Sequence, residues 1–211
     1  MTAYSRQITM RARNLGCDRG GVPVVRGINL DVTPGEAIQL FGANGSGKTS
    51  LLNLFAGHHQ LAEGQLDWRI GNTTWEAKSP LNSILFITHT PPMKSALTSF
   101  ENLRFWTHSY GVAEEHTKET VYGALDRVGM TSHAMTRTGK LSAGQRRRLD
   151  IARALIAGRE VWLLDEPSAA IDTEGADMVA TIIAEHLDNG GIAIAATHDT
   201  LGVASTKLVI G

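Results

Sequence analysis

A single cysteine, Cys17, is all the thiol chemistry this chain carries. One thiol cannot form an internal disulfide and leaves too few thiolates for a zinc or iron–sulfur site, which fits a reducing compartment. Excess charge is missing too: 20 Lys+Arg stand against 21 Asp+Glu, a formal net charge of −1. Without a basic surplus the chain lacks the usual means of neutralising many phosphates, so general nucleic-acid binding is disfavoured. No apolar run approaches the roughly 18 residues needed to cross a bilayer, so any membrane involved belongs to a partner. What remains, with 42% hydrophobic residues over 211 positions, is a globular chain of about one domain with ample core.

The first 17 residues carry Arg6, Arg11 and Arg13 and no acid, a bias shared with organellar transit peptides. Ile8, Met10 and Ala12 alternate there with Thr9, Arg11 and Arg13, however, which is the period of a half-buried strand. Ile28, Leu30 and Val32 continue the pattern up to the turn-like Pro34-Gly35. Short apolar runs recur at Ala37 to Phe41, Ile84 to Ile87, Val161 to Leu164 and Ile192 to Ala196. Such runs suit strands buried on both faces of a parallel sheet with helical crossovers, so the core reads as α/β. Between Pro91 and Arg159 apolar residues instead recur at helical spacing, as in Phe100 and Leu103 or Val121, Leu125 and Val128. This is read as a helical insertion whose glycines, Gly111, Gly129 and Gly139, mark helix ends.

Gly42-Ala43-Asn44-Gly45-Ser46-Gly47-Lys48-Thr49 satisfies G-x-x-x-x-G-K-[ST], after an apolar strand and before the helical stretch from Ser50. Glycines let consecutive backbone N–H groups curl around an anion, and a helix N-terminus adds partial positive charge. Lys48 is placed to reach the terminal phosphates, and the Thr49 hydroxyl to ligate Mg²⁺. The buried strand Val161-Trp162-Leu163-Leu164 ends in Asp165-Glu166-Pro167, at the carboxyl edge where α/β sheets place their ligands. Asp165 is positioned to hold Mg²⁺ through water and Glu166 to orient the attacking water. Upstream, Ser142 and Gln145 in Leu141-Ser142-Ala143-Gly144-Gln145 have capping-box spacing, so a helix begins there and ends near Gly158. With the phosphate loop present, that helix start becomes a second anion site suited to a γ-phosphate.

Taken together these motifs resemble the ATP-binding cassette (ABC) family over essentially the whole chain. Leu141 to Gln145 matches the family signature, Val161 to Pro167 the Walker B strand, Ser168 to Asp172 the D-loop, and His198 the switch histidine. The resemblance implies a P-loop NTPase cassette with a parallel core sheet, an N-terminal antiparallel β subdomain and an inserted helical subdomain. Residues 1–90 and 160–211 would form the core and 91–159 the helical part. It implies ATP and Mg²⁺ as cofactors, with Lys48, Glu166 and His198 in catalysis and Thr49 and Asp165 at the metal. ATP contacts would come from Gly42 to Ser50, Arg19 and Thr90 on one cassette and from Ser142, Gly144, Gln145 and Asp172 on the other. Two copies would pack head to tail beneath a membrane permease, at the cytoplasmic face of the inner membrane, without nucleic acid.

The stretch from Ile87 to Trp106, with Lys94, Leu97-Thr98 and Glu101-Asn102-Leu103-Arg104-Phe105, is similar to the cytochrome c maturation ATP-binding subunits. That likeness implies haem export or haem-chaperone release. An ATPase of another ABC transporter, for lipid, amino acid or drug, is the alternative of the same class, and a soluble non-transport ABC ATPase the alternative of another class. Two positions depart from the family pattern. Thr90 stands where a glutamine is expected to reach the metal, and its shorter side chain would need an intervening water. Arg19 stands where an aromatic usually stacks on adenine, a task a planar guanidinium can also perform. The arginines Arg146 to Arg148 are read as a solvated or salt-bridging face. His58 and His59 follow the phosphate-loop helix at Gly57 and are read as polar residues at a helix end rather than metal ligands.

Overall fold

The computed structural model describes residues 4, 6–71, 73–75 and 82–211, and among these the chain forms two compact units. One comprises Met1–Phe86, Arg159–Glu166 and Ala180–Gly211; the other comprises Ile87–Gly158 and Pro167–Val179. The helical region expected at 91–159 thus starts a few residues earlier and recruits the segment after Glu166. The recruitment has a local cause, since Arg148 pairs with Asp172 at 2.7 Å and Gly144 lies against the Ala170 backbone.

The first unit holds two sheets. β1 (Ile8–Arg19), β2 (Val22–Val32), β4 (Leu61–Ile70) and β5 (Thr73–Trp75) form an antiparallel sheet in the order β2-β1-β4-β5. The alternation expected in β1 is present: Ile8, Met10 and Ala12 are buried while Arg11 and Arg13 are exposed and pair with Asp31. The second sheet has the order β6 (Ile84–Ile87), β7 (Val161–Asp165), β8 (Ile192–Ala196), β3 (Ala37–Phe41), β9 (Thr206–Val209). β7 and β8 are buried throughout, and the β3–β8, β3–β9 and β7–β8 pairs are parallel. α1 (Lys48–Phe55) buries Leu51, Leu52, Leu54 and Phe55 in a core shared with Ile38, Leu40, Leu163 and Ile194. β3 lies inside the sheet between β8 and β9, and both its carboxyl end and that of β7 lie at one edge of a parallel sheet, where ligands bind in such folds.

The second unit is helical. α2 (Ser99–Ser109), α3 (Glu114–Arg127) and α4 (Ala143–Ala157) contact one another pairwise around Leu103, Val121, Leu125, Val128 and Leu149, all fully buried. Thr98 and Ser142 cap α2 and α4 through complete capping boxes, and α4 ends at left-handed Gly158. Gly111 and Gly129 do stand with positive φ just past α2 and α3. Gly139 does not end an α-helix. It lies in the short 3₁₀ turn Thr138–Lys140, where its N–H donates to the Ser95 carbonyl at 3.0 Å. α5 (Thr173–Asp188) precedes β8. Among the described residues no helix is long and apolar enough to cross a membrane.

Candidate nucleotide site

Residues 42–47 connect β3 to α1 and bring the phosphate-loop motif onto a helix N-terminus. Gly47 is the N-cap, with φ of 101°. A Cβ there would lie 2.7 Å from Val24 Cγ1 and 2.6 Å from Val25 Cγ2, so both conformation and space demand glycine. No side chain caps α1 and no acid occupies its first turn, whereas α2 and α4 are both capped by hydroxyls. The leading N–H groups of α1, those of Lys48, Thr49 and Ser50, thus have no side-chain cap, an arrangement that suits an external anion. Lys48 is 8% exposed and its Nζ donates to the Gly42 and Ala43 carbonyls at 2.7 and 3.0 Å. A buried ammonium held only by backbone oxygens of its own loop gains a charged partner when phosphate enters. The Ser46 hydroxyl is buried without a hydrogen-bond partner among the described residues. Ala43, Asn44 and Gly45 form the exposed crest.

At the end of β7, Asp165 is 5% exposed, and the Thr49 hydroxyl donates to its carboxylate at 3.1–3.2 Å. Glu166 follows with φ of 52°, a left-handed conformation costing about 1–3 kcal/mol in a residue with a side chain. It is held there by its N–H, which donates to the Ala196 carbonyl of β8 at 2.8 Å. Glu166 Oε1 lies 3.7 Å from Nε2 of His198, on the loop after β8. Gln39, 3% exposed within β3, donates to the Asp199 carbonyl at 2.9 Å and so anchors that loop. The structure therefore brings Lys48, Thr49, Asp165, Glu166 and His198 together in the first unit. Gln39 was not anticipated, although a buried amide inside the apolar run Ala37 to Phe41 was a visible signal.

The second unit assembles the other expected residues. Ser142, Gly144, Gln145 and Asp172 line a cavity of about 330 Å³ with Gly129, Met130, His133, Arg148, Ala170 and Ile171. The Ser142 hydroxyl accepts from the Gln145 N–H at 3.1 Å, which leaves its own proton free to donate. Gln145 returns the bond to the Ser142 N–H at 2.9 Å, and its amide meets His133 Nε2 at 3.0 Å. A Cβ at Gly144 would approach the Ala170 carbonyl to 2.5 Å, so glycine is required for the D-loop to lie on the signature. Asp172 accepts from the Gly175 N–H at 3.0 Å in the manner of a helix cap and from Arg148 at 2.7 Å. Those two contacts, the amide first, hold its carboxyl below the ordinary range.

Arg19 is exposed at the end of β1, opposite Val22, and Thr90 is exposed with its carbonyl accepting from the Thr88 hydroxyl at 2.8 Å. His58 is an exposed ring tilted against Phe86 at 5.9 Å, and no metal-ligand cluster occurs among the described residues. The arginine run divides: Arg148 bridges two motifs as expected, but Arg147 is 3% exposed and not solvated.

A phosphate loop, a strand-end Asp-Glu pair and a histidine on the adjacent loop define the class: a P-loop nucleotide-binding cassette. The family model for ABC transporters matches residues 25–169. Cytochrome c biogenesis ATP-binding export protein CcmA of Rhodopseudomonas palustris (strain HaA2) is 40% identical over 203 residues, 96% of this chain and 98% of that protein. CcmA of Yersinia pseudotuberculosis is 36% identical over 93% of this chain and 88% of the relative. Among solved structures, an ATP-binding ABC transporter protein from Pyrococcus furiosus superposes with a TM-score of 0.81 at 23% identity, covering 96% of this chain and 97% of that one. A dimeric ATP-binding cassette in a post-hydrolysis state with ADP and Pi gives 0.78 at 22% identity over 90% and 88%. The chain belongs to the ABC transporter family and, within it, to the CcmA group of cytochrome c biogenesis ATP-binding export proteins. It is an ATPase of the transporter class.

Proposed function

We propose that this chain hydrolyses ATP as one half of a head-to-tail homodimer. In this reading it powers haem export, or haem-chaperone release, for cytochrome c maturation beneath a permease at the cytoplasmic face of the inner membrane. The observation that carries the reading is the Thr49–Asp165 contact of 3.1 Å beside the Glu166–His198 pair. Two hard oxygen donors from different elements converge there on a point bordering the uncapped helix and Lys48. That donor set fits Mg²⁺, which prefers one or two protein oxygens and leaves its remaining positions to water and phosphate. When bound, Mg²⁺ would neutralise charge on the phosphate oxygens.

Lys48 exchanges the Gly42 and Ala43 carbonyls for β- and γ-phosphate oxygens, and the α1 amides with Ser46 cradle the rest. Glu166 orients a water in line with the γ-phosphorus and accepts its proton as the new P–O bond forms and the bond to ADP breaks. His198, 3.7 Å from Glu166, is near enough to contact the same water or a γ-phosphate oxygen. The Ser142 hydroxyl and Gly144 N–H of the second copy supply donors on the far side, which the cassette's own phosphate loop does not need. A closed two-fold pair uses each surface twice and completes both sites.

Steady-state hydrolysis by the purified chain tests the assignment. Lys48→Ala should abolish nucleotide binding and turnover together. Glu166→Gln should retain ATP and lose about 10²–10⁴-fold in kcat. Full turnover in Glu166→Gln would remove that residue from the proton-accepting role. For the cargo, cells carrying only Lys48→Ala should fail to accumulate haem-loaded c-type cytochromes; normal maturation would point to another cargo.

A further inference from the structure

Arg147 takes no part in the phosphate chemistry, yet it is the most enclosed of three successive arginines. Its side chain is 4% exposed. Nη1 donates to the Thr88 carbonyl and Nη2 to the His89 carbonyl, both at 2.9 Å. One guanidinium fork thus grips two consecutive carbonyls of the chain immediately before Thr90, from 59 and 58 residues away in sequence. The fork is itself braced. Asp150, one turn along α4 and fully buried, lies 3.8 Å from Arg147 Nη1 and accepts from Arg153 Nε at 2.7 Å. Arg153 in turn donates to the Tyr110 hydroxyl at 3.0 Å and lies 5.1 Å over the Trp106 ring, near the end of α2. A continuous polar path runs from the Thr88–His89 backbone through α4 to α2, and α4 begins at the signature.

We propose that Arg147 is a positioning residue that ties the backbone leading into Thr90 to the signature helix, so that Thr90 and Ser142–Gln145 move as one body. The glutamine expected at residue 90 has a longer reach than threonine. With the short side chain, the position of residue 90 depends on placement of its backbone, and Arg147 supplies that placement. A buried bidentate arginine suits the task because its planar fork loses little freedom per bond, whereas lysine offers one compact ammonium. The inference rests on the proposed shared ATP site for its kinetic consequence, but the tether itself is independent of it.

Hydrogen exchange on the full chain, with ADP affinity and steady-state kinetics, tests the proposal in Arg147→Met and Arg147→Lys. In Arg147→Met, amides of 87–90 should exchange about tenfold faster or more, the scale of losing two hydrogen bonds, while α4 keeps its protection. ADP affinity should stay within about twofold because the phosphate loop is untouched, and kcat should fall about tenfold without a matching change in KM. Arg147→Lys should be intermediate in both exchange and kcat. If Arg147→Met does not fold, Asp150→Asn, which unbraces the fork while preserving volume, should show the same selective loosening of 87–90. Unchanged exchange at 87–90, unchanged kcat in a folded variant, or a general loss of protection together with ADP affinity would each overturn the proposal. A wild-type chain that hydrolyses no ATP would defeat the proposed function and leave the exchange result standing.

Discussion

At the scale of single residues, the proposed site holds Lys48 enclosed by its own loop carbonyls and Glu166 in a left-handed conformation. Gly47→Ala places a Cβ against Val24 and Val25 at a φ of 101°, so ADP affinity measured by calorimetry should drop more than about tenfold, given a left-handed cost near 1–2 kcal/mol. A native-like affinity would mean that the loop tolerates the change. His186 provides a second test at this scale. Burial, opposed by its bond to the Ile192 carbonyl, depresses its pKa from 6.5 to about 4, and the ring stacks on Trp162 at 4.0 Å. The unfolded state therefore binds the extra proton between those values, so His186 supports stability fully above about pH 6.5 and that support is lost as pH falls through 4. The loss is roughly 3 kcal/mol, and His186→Phe should flatten the stability slope over that window in denaturant titrations. An unchanged slope would assign the acid sensitivity elsewhere. The phosphate loop was legible in sequence because its eight positions are contiguous and each has a local task. Gln39 and Arg147 were not, because their partners Asp199, Thr88 and His89 are brought near only by tertiary folding.

At the scale of elements, the two helices proposed to bind anion differ in how they begin. α1 starts without a side-chain cap, which in the proposed site leaves its amides to the nucleotide, while α4 starts with a capping box whose hydroxyl still has a proton to donate. In the proposed site Ser142 serves both stability and phosphate recognition, and substitutions separate the two. Ser142→Ala should cost about 1 kcal/mol, a few degrees in Tm for a chain of this size, and slow hydrolysis. Ser142→Asp should keep the cap and the melting temperature, since a carboxylate suits a helix N-terminus, yet suppress hydrolysis by repelling phosphate. Calorimetric scans alongside ATPase rates check this; equal Tm losses in both variants would remove the capping role. Strands β3, β7 and β8 matched their apolar runs because both faces are buried or nearly so, which writes an unbroken hydrophobic signature. β4 carried no such mark: its first five residues are all exposed and Gly64 interrupts it. β9 is likewise mostly exposed.

At the scale of the whole molecule, a net charge of −1 is no obstacle to binding a polyphosphate. In the proposed shared site the required positive potential is local, supplied by one buried lysine and two helix N-termini. The residues proposed to face ATP fall into two sets, Lys48, Thr49, Asp165, Glu166 and His198 in one compact unit and Ser142, Gly144, Gln145 and Asp172 in the other. The central claim is that a second copy supplies the signature set to each phosphate loop. Sedimentation velocity of Glu166→Gln with saturating Mg²⁺ and ATP, beside Lys48→Ala under the same conditions, tests it most directly. Glu166→Gln, binding ATP without consuming it, should sediment as a dimer that reverts to monomer when ADP replaces ATP, and Lys48→Ala should remain monomeric throughout. A Glu166→Gln chain that binds ATP yet stays monomeric at every protein concentration would contradict the shared site.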